Sequence, residues 1–72
     1  MSLTIEDELI LIECKKERRR MRERFRELND KLSSRQRLHN LEHNMLKRQL
    51  RELSDENLAR KFEVPPFAVR KL

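Results

Sequence analysis

The sequence predicts an all-α protein, and three observations carry that prediction. Glycine is absent and the two prolines stand together at Pro65 and Pro66, so few residues are available for the turns of a sheet. Leu, Arg, Lys and Glu dominate while β-branched residues are scarce, which is helix-forming composition. Apolar residues recur at steps of three and four along most of the chain. With 72 residues, 36% of them hydrophobic and 43% charged, the chain has material for one domain and a small core. Self-association is a common remedy for such a shortage.

The first element starts at Thr4. Asp7 follows at capping distance, and Glu6, Asp7 and Glu8 suit the positive end of a helix dipole. Nothing breaks a helix before about Leu32. Leu11, Cys14, Met21, Phe25, Leu28 and Leu32 follow one another at steps of 3, 7, 4, 3 and 4, a heptad-like seam in which Arg18 fills the one charged position. Such a helix is about 42 Å long. Residues 1–32 are therefore expected to form a long, basic, coiled-coil-like helix that dimerises through those six residues, making a homodimer.

Asn29, Asp30, Ser33 and Ser34 mark a break, and Ser33 with Gln36 has capping-box spacing. A second helix is expected from about Ser34 to Leu53, with Leu38, Leu41, Met45, Leu46, Leu50 and Leu53 as its apolar stripe. The short link favours an antiparallel hairpin with the first helix over one bent helix. A third helix begins at Ser54, which can cap it, with Leu53 and Leu58 placed for a hydrophobic staple. It ends near Glu63, because each proline disfavours helical geometry in the residue before it. A fourth starts at Pro65 or Pro66, where a missing amide donor costs nothing. It is still running at Leu72, so the native chain is expected to continue. Residues 33–72 form one unit.

Net charge is +5, unevenly spread: −4 over residues 1–13, +7 over 14–37 and +2 over 38–72. Lys15, Lys16, Arg18, Arg19, Arg20, Arg22, Arg24 and Arg26 fall within twelve residues. Such a block suits a polyanion, and its affinity would fall steeply with salt. One reading is contact with a nucleic-acid backbone, a second an arginine-rich RNA-binding helix, and a third a solvated coiled-coil face with local pairs to Glu13, Glu17, Glu23 and Glu27. No apolar run approaches a membrane span, the acidic opening is unlike a signal peptide, and the single cysteine fits a reducing compartment. A cytoplasmic protein with no membrane partner is expected.

The last stretch is the most informative. Leu58, Ala59, Phe62, Val64, Val69 and Leu72 supply the residues that two short crossing helices need: a small one at the approach, apolar ones toward the shared core, and Val64 at the corner. Residues 55–72 thereby resemble the helix-turn-helix family of bacterial and phage regulators, in its Leu-Ala-x-x-Phe-x-Val-x-x-x-x-Val-x-x-Leu form. Glu63 replaces the family's usual turn glycine, and Pro65-Pro66 replaces its frequent Ser or Thr. The resemblance implies a sequence-specific double-stranded DNA-binding protein, a transcriptional regulator bound as a homodimer to a two-fold symmetric site. It implies that Pro66, Phe67, Arg70 and Lys71 face DNA, with Arg60 and Lys61 against the backbone. An RNA-binding protein, or a coiled-coil assembly protein without nucleic acid, is the alternative.

His39-Asn40-Leu41-Glu42-His43 matches the pattern of inverted zincin proteases, but no third ligand or cleft accompanies it, and a polar helix face beside Leu38 and Leu41 is the plainer reading. Cys14 in the seam reads as a small core residue. No enzyme, metal or cofactor is expected.

Overall fold

The computed structural model describes residues 3–72, and every element in it is an α-helix. The molecule measures 45 × 17 × 16 Å. Helix α1 (Ile5–Lys31) spans the long dimension, and α2 (Ser34–His39), α3 (Leu41–Glu52), α4 (Asp55–Phe62) and α5 (Pro66–Arg70) return along it. The opening Met1 and Ser2 lie outside the described residues.

Local chemistry sets each helix start. Thr4 and Asp7 form a reciprocal capping box for α1, as do Ser33 and Gln36 for α2, while the Ser54 hydroxyl accepts the Asn57 amide of α4. Each cap satisfies donors that the first turn leaves without partners. Pro65 caps α5 and Pro66 is its first residue.

Two expectations fail between residues 34 and 53. The single helix expected there is divided at Asn40, whose backbone is extended and whose side chain accepts the His43 amide at 2.8 Å. Asparagine is among the best N-caps, and here it restarts a helix inside an uninterrupted apolar pattern. The stripe changes with it. Leu38 and Leu41 are each 74% exposed and Met45 is 50% exposed, whereas His43 is buried. The break leaves Leu38, Leu41 and Met45 outward and turns the histidine inward, while Leu46, Leu50 and Leu53 of the expected stripe stay half-buried.

The core has two unequal parts. Leu11 of α1, Leu58 and Ala59 of α4 and Val69 of α5 form a closed apolar cluster, with Leu53, Phe62, Val64 and Leu72 packed around it. Toward the far end of α1, the buried residues are Leu28 and His43; the His43 ring stacks on Phe25 with centroids 4.5 Å apart and its Nε2 meets Asn29 Oδ1 at 2.7 Å. The seam assigned to a second chain is thus largely filled from within. Leu11 has no exposed surface, Leu28 has almost none, Cys14 joins the apolar cluster, and Phe25 is taken by His43. Met21 and Leu32 are half-buried. The physical reason is size: so small a chain gains more by folding α3–α5 onto this stripe than by leaving it open.

Candidate nucleic-acid interface

Helices α4 and α5 are joined by a turn whose pivot is Glu63, at φ 57° and ψ 43°. This left-handed backbone favours glycine and costs a non-glycine residue about 1–2 kcal/mol. Two hydrogen bonds hold it: the Val64 amide donates to the Ala59 carbonyl at 2.9 Å and the Glu63 amide to the Arg60 carbonyl at 3.3 Å. Together they make a Schellman termination. Val64 then packs against the cluster formed by Leu58, Ala59 and Val69. Beyond Pro66, α5 continues only to Arg70, with Lys71 as its cap, so the fourth helix is shorter than the pattern suggested.

A five-residue helix needs outside support, and α1 supplies it. Lys15 Nζ donates to the carbonyls of Val69 at 3.1 Å and Arg70 at 3.5 Å, and also to that of Leu72. A cation on the last-turn carbonyls satisfies acceptors that lack an intrahelical donor and complements the dipole. One turn along α1, Arg18 Nη1 donates to the Leu53 carbonyl at 3.1 Å and to Asp55 Oδ1 at 2.7 Å. Both side chains are mostly covered, at 15% and 24% exposure. The hydrogen bond and charge of Arg18, aided by Arg70 and Lys15, hold the Asp55 carboxyl below its ordinary range against the opposing effect of burial.

Lys15 and Arg18 are therefore spent on the fold, although both belong to the block assigned to a nucleic-acid backbone. The other six basic residues divide by side. Arg20 pairs with Glu17 at 2.5 Å, and Arg24 pairs with Glu42 of α3 at 2.8 Å. These pairs raise the affinity of both guanidinium groups for their protons. Lys16 reaches Glu13 at 3.5 Å. Arg19, Arg22 and Arg26 are exposed and make no ion pair among the described residues. Their steps of three and four put them on one stripe of α1. Leu72, following α5, lies in a cleft with Lys16 and Arg19, so this stripe starts where α5 ends.

The residues assigned to DNA on α4 and α5 are all on the surface. Pro66, Arg70, Lys71, Arg60 and Lys61 are exposed, and Phe67 is 58% exposed with the Lys71 ammonium 5.7 Å from its ring centre. Arg70 Nε lies 3.5 Å from Asp55 and its Nη2 3.7 Å from Glu56. Both separations exceed those of a tight charge-assisted hydrogen bond, so the guanidinium can leave them at modest cost, though the acids offset part of its field.

His39 and His43 do not form the pair that the zinc pattern requires. The break at Asn40 puts them on different helices, and His43 is engaged by Asn29 and Phe25. No group of three metal-ligating side chains occurs among the described residues. Sequence reasoning missed the inward turn of His43 and the structural work of Lys15 and Arg18. Arg18 did leave a signal, since a charge within an apolar seam needs a buried partner. Among the described residues no helix is long and apolar enough to cross a membrane. The chain matches no family model, and no curated protein or solved structure is significantly similar to it.

Proposed function

We propose that this chain binds double-stranded DNA, with residues 55–72 acting as a helix-turn-helix and α5 as its reading helix, in a transcriptional regulator. The observation that carries the reading is the pairing of α4 and α5 about the left-handed Glu63 turn over Leu58, Ala59 and Val69, with Phe67, Arg70 and Lys71 left outward. The free stripe Arg19–Arg22–Arg26 beside the end of α5 supports it as a phosphate contact. Arg70 reads a base edge, Lys71 and the stripe hold the backbone, and Phe67 meets a thymine methyl. Arg60 and Lys61 add backbone contacts from α4. Pro65 and Pro66 have no amide to give to phosphate, so anchoring falls to side chains.

Selection from random duplexes tests this reading, followed by anisotropy titrations of the enriched sequence at several salt concentrations. Arg70→Ala should lower affinity for the selected site by about 1–3 kcal/mol and relax one base position. Arg19→Ala and Arg22→Ala should weaken selected and random duplexes alike, each reducing the salt slope by about one. Absence of saturable duplex binding at low salt, or an Arg70→Ala protein that binds normally, defeats the assignment. Tighter binding of RNA hairpins than of duplex at matched salt would move the function to RNA.

A further inference from the structure

The cations of the proposed DNA interface are of two kinds. Arg19, Arg22, Arg26, Arg60, Lys61 and Lys71 are exposed and make no ion pair among the described residues. Arg70 makes two, with Nε 3.5 Å from Asp55 Oδ2 and Nη2 3.7 Å from Glu56 Oε1. The two acids differ in what else holds them. Asp55 is largely covered and already matched by Arg18, which donates to it at 2.7 Å. Glu56 is 66% exposed, and Arg70 is its one ionic partner among the described residues. Arg60, one turn further along α4, forms no pair with it, and Lys15, the remaining cation near Asp55, lies against the α5 carbonyls. The charge of Glu56 therefore falls on Arg70.

That difference sorts ligands. A phosphate approaching Arg70 brings a full negative charge beside the Glu56 carboxylate, whose repulsion opposes the attraction of the guanidinium. The O6 and N7 of a guanine are acceptors on a neutral base, so the carboxylate opposes them far less, and the donors of Arg70 stay available. The nitrogens nearest the acids, Nε and Nη2, share one edge of the planar group, and a bidentate acceptor can take the Nη1–Nη2 edge. We propose that Glu56 is a specificity-determining residue: it neutralises Arg70, bars phosphate from that guanidinium and reserves it for the acceptor edge of a guanine. The six unpaired cations keep their full charge for the backbone. Glu56 thus acts through Arg70 as a positioning residue and touches no base itself. The assignment rests on α5 being the reading helix, and it reverses the usual effect of adding positive charge: removing this acid makes the protein bind DNA more tightly but less selectively.

Anisotropy titrations of the full chain with the selected duplex and with a random duplex, over a range of salt, test the proposal, with circular dichroism as the check on folding. Glu56→Gln should bind the random duplex at least about fivefold more tightly, with a salt slope steeper by about one, because Arg70 becomes a phosphate ligand. The preference for the selected duplex should fall by about the same factor. Glu56→Asp keeps the charge and should keep the preference. Glu27→Gln makes the same change of net charge about 14 Å along α1 from Arg18, so it should move both duplexes alike and leave the preference unchanged. In an Arg70→Ala background Glu56→Gln should no longer alter the preference, which shows that the acid works through that guanidinium. A wild type that binds selectively, with Glu56→Gln shifting both duplexes by one factor or weakening the random one, overturns the role of Glu56 and leaves the reading helix standing. A wild type without saturable duplex binding overturns both.

Discussion

The two ends of the molecule are built differently. Around Leu11, Leu58, Ala59 and Val69 the core is apolar and closed, and the largely covered Arg18 and Asp55 beside it satisfy each other. Around Leu28 and His43 the core is thin and polar. One ring nitrogen of His43 has Asn29, while its Nδ1 and the Nε of Arg37 are buried without a hydrogen-bond partner among the described residues. Arg37 is held by another of its nitrogens, which donates to the Asn29 carbonyl. Fully satisfied charge and apolar burial stabilise, whereas a half-satisfied polar cluster contributes little. The first end should therefore carry most of the stability and unfold last. The proposed reading helix is mounted on it.

The comparison can be broken most sharply at Leu58. Leu58→Ala should cost about 3 kcal/mol in urea denaturation, since a fully enclosed side chain leaves a cavity; a loss under about 1 kcal/mol would mean that this cluster is not the keystone. Asp55→Asn comes next, at about 1–2 kcal/mol near neutral pH, because it strands a largely covered Arg18. Its pH behaviour has a definite sign. The folded carboxyl lies below its unfolded value of about 3.9, so the stability it lends is fully present above that value and disappears as pH falls through the lower, folded one. An acid titration should therefore show the gap between wild type and Asp55→Asn closing in that window; a gap that widens there contradicts the pairing. Glu63→Gly should stabilise the protein by about 0.5–1 kcal/mol, the relief of the left-handed turn less the entropy glycine adds to the unfolded chain. If it destabilises, the turn is not left-handed in solution. The smallest effect belongs to the polar end. His43→Leu should change stability by less than about 1 kcal/mol, measured the same way, since one satisfied and one unsatisfied nitrogen leave together. A loss matching that of Leu58→Ala would make the two ends equals.

Much of the local structure was readable in advance. The Thr4, Ser33 and Ser54 caps, the helix-breaking prolines and the end of α4 near Glu63 all depend on residues within one turn of each other. Leu58, Ala59 and Val69 were likewise legible as a core, because their spacing holds only if two helices meet. The Asn40 break was not, since an asparagine in an amphipathic run is helical or capping according to what packs on either side.

The sequence alone determined where α1, α2, α4 and α5 start, that the described residues form helices and nothing else, and that positive charge concentrates on α1. Tertiary structure decided which face each helix buries and hence the fate of individual charges. Composition shows eight bases in a row of twelve positions; only the packing of α3–α5 withdraws Lys15 and Arg18 into the fold and leaves Arg19, Arg22 and Arg26 outside. The reason is range. A cap is settled by a bond to an amide three residues away, whereas burial of a charge depends on partners some 37 to 57 residues distant, which meet it only after the chain has folded back.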